Sequence, residues 1–286
     1  MKKKIQWDTK SKKIDTLTPS KNYEKKESTF RDEVHAEGYG NIRQKFDTGV
    51  TWMRFLPAIV GSQNTWMMKI ELYEIGKAVW KKPAFGKDLV YACKKWFRDN
   101  DPGKLWDKET QTGYRLWEKP TGLAWAIDAT QTEGSRLKLL RASLYSGSGS
   151  QGLGSKIHTL SEQRDDEPGS PTLGQLTYGD ITDPAAGRLV KVDKSAPKKG
   201  EYPTYSVSIG SQSSELTAAL ESLTDEEHNK LCPLEDTTKE LSIDEQATYL
   251  RKYLGEDFPE AEYNFMKGIK TKALPDPEEE DKIPGL

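Results

Sequence analysis

A chain of 286 residues can bury one sizeable core, but 31% charged against 34% hydrophobic residues leaves much of it to solvent. Two distant cysteines (Cys93 and Cys232), no CxxC pair and three scattered histidines (His35, His158, His228) argue against a zinc site, so no metal or cofactor is expected. The net charge of −2 hides an asymmetry: from Ser213 onward there are 19 acidic residues against 8 basic ones, and before it 26 against 35.

A basic body with an acidic end suits a polyanion binder whose own tail competes for the same surface. The start, MKKKIQWDTKSKK, is basic without an apolar run and does not read as a signal peptide, and no 18-residue apolar segment is present. Low cysteine use suits a reducing compartment, so the expected location is cytoplasmic.

In chain order, residues 1–45 are Lys-rich, polar and aperiodic, and read as a basic flexible arm. VTWMRFLP (50–57) alternates as a strand closed by Pro57, with Val50, Trp52, Arg54 and Leu56 on one side. Thr65–Ile75 alternates as a second strand. Lys87–Phe97 has helical spacing through Leu89, Ala92, Cys93, Trp96 and Phe97, which makes Cys93 core filler rather than a nucleophile. Asp99-Asn100-Asp101-Pro102-Gly103 stops it. Further strands are expected at Tyr114–Glu118, Leu123–Ala129, Leu137–Tyr145, Gly187–Asp193 and Thr204–Ile209. The Gly/Ser loop 146–155 and a helix at Lys156–Arg164 fall between them. After Ser213 the period turns helical, with capping boxes at Thr224–Glu227 and Ser242–Glu245 and a stop at Gly255. The last stretch, ALPDPEEEDKIPGL, reads as a disordered acidic tail.

Seven of eight tryptophans fall between positions 52 and 125, interleaved with Lys and Arg. Aromatics for stacking and cations for phosphates are the two requirements of sequence-tolerant single-strand binding. Trp96 and Trp125, in apolar runs, read as core. Trp80 and Trp106, in polar loop-like surroundings, read as functional. Trp52, Trp66 and Trp117 stay open. Gly147–Gly152 matches G-x-G-x-x-G without a βαβ unit around it, and Gly149–Gly154 is followed by Ser155-Lys156, the reverse of a P-loop's order. No catalytic constellation emerges, and a non-enzyme is expected.

Arg54-Phe55-Leu56-Pro57 and the block DITDPAAGRLVKVDK…YPTYSVSI (180–209) resemble the single-stranded DNA-binding proteins of T-even-type phages and their relatives. The resemblance implies an α+β, mainly β architecture: a five-stranded Greek-key OB barrel with insertions. It also implies non-catalytic coating of single-stranded DNA in replication, recombination and repair. The chain departs from that family in lacking a Cys/His zinc subdomain and in having no residue-level match to its N-terminal cooperativity arm in 1–45. Its tip, EEEDKIPGL, resembles the acidic Asp/Ile/Pro tips of single-strand binders in general but ends in Leu286 rather than Phe. The expected ranges are a basic arm at 1–45, an OB core at 46–212, a helical segment at 213–268 and an acidic tail at 269–286.

The motif match makes Arg54 a phosphate or base contact, and the second block adds Arg188 and Lys191. Position and alternation add Trp52, Tyr73, Trp80, Trp106 and Trp117 as stacking candidates, with Lys69, Lys81, Lys82 and Arg115 as nearby cations. Glu278, Glu279, Glu280, Asp281, Ile283 and Pro284 form a tail expected to recruit replication or recombination proteins, with self-association on the strand. The rival readings are a strand-annealing recombination protein, an RNA binder, and a phage structural protein that binds no nucleic acid.

Overall fold

The computed structural model describes residues 6–7, 16–18, 44, 46–59, 66–76, 78–105, 113–132, 134–145, 151–196 and 203–268. Its strands are β1 (Gln6–Trp7), β2 (Thr16–Thr18), β3 (Gly49–Phe55), β4 (Ala58–Ile59), β5 (Met68–Ile75), β6 (Ala78–Lys81), β7 (Lys119–Asp128), β8 (Leu137–Ser143), β9 (Arg188–Lys194) and β10 (Tyr205–Ser213). Its helices are α1 (Leu89–Asn100), α2 (Pro102–Leu105), α3 (Leu153–Ser161), α4 (Leu216–Glu221), α5 (Asp225–Lys230), α6 (Ile243–Leu254) and α7 (Glu260–Met266). The fold is α+β, with a mainly antiparallel sheet of seven strands in the order β10-β9-β3-β7-β5-β6 and β8 added on β7.

Strand β7 is the branch point. One edge pairs with β8 through Thr121–Ile127; the other pairs with β5 at Lys119–Leu123 and with β3 at Ala126–Asp128. The five-stranded closed barrel expected from the resemblance is not what these ladders draw. Among the described residues they run from β10 to β6 without returning to β10, so the sheet is open. Within the arm, β1 pairs antiparallel with β2, and β2 pairs in parallel with β4; the rest of 1–43 lies outside the described residues.

The chain forms two units that interleave in sequence: Met1–Leu72, Lys77–Lys81 and Glu118–Lys239 in the first, and Tyr73–Gly76, Lys82–Trp117 and Glu240–Leu286 in the second. In the first unit, strand alternation sends two sets of apolar side chains to opposite faces. On one face Met53, Phe55, Ala124, Ala126, Leu140, Ala142, Val190 and Val192 pack with Trp66 and with Ile157 of α3. On the other, Leu123, Trp125, Ile127, Leu137 and Leu139 pack with Leu216 and Leu220 of α4, Leu223 and Leu231. Trp125 Nε1 donates to the Cys232 carbonyl at 2.8 Å, which fixes the chain leaving α5. Residues 216–234 thus build the sheet's own core.

The second unit is mainly helical. Asp88 caps α1 by accepting from the Tyr91 N–H at 2.9 Å and also accepts the Tyr73 hydroxyl at 2.8 Å. Gln246 of α6 accepts the Leu89 N–H at 2.9 Å and donates to the carbonyls of Lys87 and Leu241. Both expected capping boxes form, on α5 and α6. Gly255, at φ +62°, ends α6 in a conformation that disfavours any side chain. The expected strand at Tyr114–Glu118 is extended but joins no ladder, because its N–H groups go elsewhere: Tyr114 to the Lys104 carbonyl and Arg115 to the Tyr253 hydroxyl.

Candidate nucleic-acid interface

Two of the expected contact residues, Trp52 and Lys191, meet where β3, β9 and β10 lie side by side. Trp52 pairs with Lys191, and Lys191 pairs with Ser208, so the three form one row across three strands. The neighbouring row is Val50, Asp193 and Ser206. These residues share the sheet face that, further along at Ile127, is covered by α4 and α5, because Arg54 pairs with both Ile127 and Leu189. Around Trp52 that face is open to solvent: Val50 is 40% exposed, Ser206 and Ser208 are exposed, and Trp52 and Lys191 are half-buried.

The indole does not stand straight up. A Cβ placed on Gly210 would lie 3.4 Å from Trp52 Cζ3 and 3.3 Å from the Leu189 carbonyl oxygen. Trp52 therefore leans across β9 toward the bare backbone of β10, half-buried beside a floor of small residues. Its backbone is held on the β7 side, by its N–H donating to Thr130 Oγ1 at 2.7 Å and its carbonyl accepting the Ala129 N–H at 2.8 Å. Lys191 Nζ is 3.9 Å from Asp193, a loose and half-exposed pair that leaves the ammonium available to a phosphate.

Other expected contacts lie elsewhere. Arg54 is 1% exposed, and its guanidinium donates to four backbone carbonyls: Phe55 (2.7 Å), Ile181 (2.8 Å), Asp183 (2.5 Å) and Ser214 (3.0 Å). Burial pushes its pKa down to about 10 against the opposing pull of Asp180 and Asp183, so it stays charged at neutral pH. Arg54 is a structural clasp, and its expected role as a phosphate or base contact is corrected accordingly. The same clasp joins the segments 54–57 and 180–209.

Tyr73 and Trp80 are fully buried, with the Tyr73 hydroxyl engaged by Asp88, so neither presents a ring to a ligand. Trp66 is core, its ring 5.1 Å from that of Phe55 and stacked on His158 at 6.4 Å. Lys69 is exposed but points to the opposite sheet face from Trp52, since it pairs with Gly122 in the Ala124–Ala126 series. There it lies near His158, whose pKa is lowered by burial first and by Lys69 second. Arg188 is half-buried, with Nη1 3.4 Å from the Gly210 carbonyl. Lys81 is exposed and Lys82 half-buried. In the second unit Arg115 is exposed and Trp117 is 38% exposed, one to each side of buried Leu116. Trp106 and the tail residues Glu278, Glu279, Glu280, Asp281, Ile283 and Pro284 lie outside the described residues.

Sequence reasoning missed Ser206, Ser208 and Gly210 as the platform's floor. Their signal was present in the alternation of TYSVSIGS, where every outward position is small. Among the described residues no group of three or more His, Cys, Asp or Glu could hold a metal ion. Cys93 and Cys232 are both buried, and burial first of all pushes the Cys93 thiol well above its ordinary value. No helix among the described residues is long and apolar enough to cross a membrane. No protein-family model matches this chain, and no curated protein matches it either.

Proposed function

We propose that the protein binds single-stranded DNA without catalysis and largely without regard to sequence, by stacking bases on Trp52 beside Lys191. The observation that carries this reading is the Trp52–Lys191–Ser208 row, with the half-buried indole beside Gly210 and exposed Val50, Ser206 and Ser208 around it. A base of any identity presents a π-face to the indole, and the neighbouring ammonium meets the backbone phosphate. Small serine and glycine residues around the ring leave a flexible single strand room to approach, whereas a duplex keeps its bases stacked inside. The excess of 35 bases over 26 acids in residues 1–212 supplies the longer-range attraction.

In this reading the sheet is OB-related, opened rather than closed. The branching of β7 between β3, β5 and β8, together with the antiparallel pair β9–β10 at the sheet's end, supports that architecture. The resemblance of 54–57 and 180–209 to the phage single-strand binders supports a role in coating DNA during replication, recombination and repair. The acidic tail is proposed to recruit partner enzymes.

The test is competition binding of labelled oligothymidylate against duplex DNA and matched RNA at several salt concentrations. The single DNA strand is expected to bind best, with log affinity falling linearly against log salt. Equal binding of duplex contradicts the reading, as does no binding at low salt. Preference for the matched RNA moves the function to an RNA binder.

A further inference from the structure

The helical unit has a surface of the same chemistry that the Trp52 platform does not explain. Helix α1 buries Leu89, Val90, Cys93 and Phe97. Tyr91, Lys95 and Arg98, at spacings of four and three, fall on one stripe of its other side, and all three are exposed. Just before the helix stands Phe85, 93% exposed, its ring 6.3 Å from that of Tyr91 at 61°. Two aromatic rings held in water next to two cations are poorly explained by packing, since the rings gain little by touching only each other. The stripe from Tyr91 to Arg98 rises about 10 Å along the helix. Nucleotides lie ~3.4 Å apart along a strand of duplex DNA and further apart in an extended single strand, so that length spans at most about three of them. Among the described residues Arg98 pairs with Asp99, at 3.0 Å, in a pair whose side chains are 62% and 49% exposed, so a phosphate exchanges for that partner at little cost.

We propose that Phe85, Tyr91, Lys95 and Arg98 form a second single-strand-binding surface, carried by the helical unit. It rests on the reading that the ligand is a single DNA strand, and it assigns that ligand a contact of its own: bases against Phe85 and Tyr91, phosphates at Lys95 and Arg98. Lys95 beside the rings favours a nucleic-acid strand over a protein partner, because lysine is depleted from protein interfaces whereas Tyr, Phe and Arg are found in both.

The experiment is photo-crosslinking of the full chain to oligothymidylate carrying single 5-iodouracils, with the attached peptides mapped, in wild type and in Trp52→Ala. A crosslink to the segment 85–98 that persists in Trp52→Ala is expected. Lys95→Glu with Arg98→Glu should flatten the slope of log affinity against log salt by about 1.4, at ~0.7 per phosphate contact. Phe85→Ala with Tyr91→Ala should weaken binding by about 30-fold or more. All four positions are at the surface, so these variants keep the fold. Crosslinks confined to other segments, with both double variants within two-fold of wild type while Trp52 still responds to the strand, overturn this proposal and leave the Trp52 reading standing. A chain that binds no oligothymidylate overturns both.

Discussion

Arg54 shows how a residue type can be read correctly as important and wrongly as to its role. In sequence it stands between Met53 and Phe55 on a strand whose Trp52 faces outward, and a cation there suggests an anion. What decides its role is 127 and more residues away: the carbonyls of Ile181, Asp183 and Ser214 converge on the guanidinium. A rigid planar fork with several donors is what such a set of carbonyls requires, and lysine offers only a point charge. Arg54→Ala leaves these acceptors buried without partners and is expected to destabilise the protein by about 3–5 kcal/mol, read from urea denaturation, with Arg54→Lys recovering only part of it. Gly187 belongs to the same clasp. A Cβ there would overlap the Arg54 guanidinium and stand 2.5 Å from the Asp183 carbonyl oxygen, so Gly187→Ala should lower the thermal midpoint without touching the Trp52 face. Trp52 itself carries the opposite expectation, with binding affected and stability little changed.

Helices with local signals were readable in advance. The boxes at Thr224–Glu227 and Ser242–Glu245 depend on side chains three residues apart, and both form as the spacing requires. Tyr114–Glu118 alternates like a strand yet joins no sheet, because pairing depends on distant partners that alternation does not reveal. Glu227 does more than cap α5. Its Oε1 accepts from the Ser135 hydroxyl (2.7 Å), the Arg136 N–H (2.6 Å) and the Leu137 N–H (3.0 Å), fastening the helix to the start of β8. Burial pushes its carboxyl up, but the hydrogen bonds from Leu137, Thr224 and Ser135 prevail and bring it down to about 2. With the folded value below the ordinary 4.5, the stabilisation is complete above about pH 4.5 and is lost as pH falls toward 2. Denaturation midpoints at pH 7 and pH 3 should therefore differ more in wild type than in Glu227→Gln. Equal pH dependence in the two proteins would remove Glu227 from that role.

The interleaving of the two units is invisible to any reading that moves along the chain. Residues 213–239 belong with the sheet and 240–268 with α1, although both stretches read as one helical segment by composition. What unites Leu216 with Trp125, or Gln246 with Leu89, is complementarity across more than ninety residues, and no local period encodes it. Charge asymmetry, by contrast, needs no fold to be read. The −11 balance after Ser213 is expected to screen the basic body. Ending the chain after residue 268 removes five acids and three bases, a net of −2 out of that −11. Affinity for oligothymidylate should therefore rise modestly, most at low salt where the Debye length is long, and the difference should shrink toward high salt. A truncated chain that binds identically at every salt concentration would show the tail to be electrostatically idle.

The central claim is that bases stack on Trp52. The most direct measurement is tryptophan fluorescence during titration with oligothymidylate, in wild type and in Trp52→Ala at equal salt. Wild type should be quenched on binding, while Trp52→Ala loses most of that quenching and binds about 5- to 150-fold more weakly, the equivalent of ~1–3 kcal/mol for one stacked base. Undiminished quenching and affinity in Trp52→Ala would contradict the account and move the stacking surface away from β3, β9 and β10.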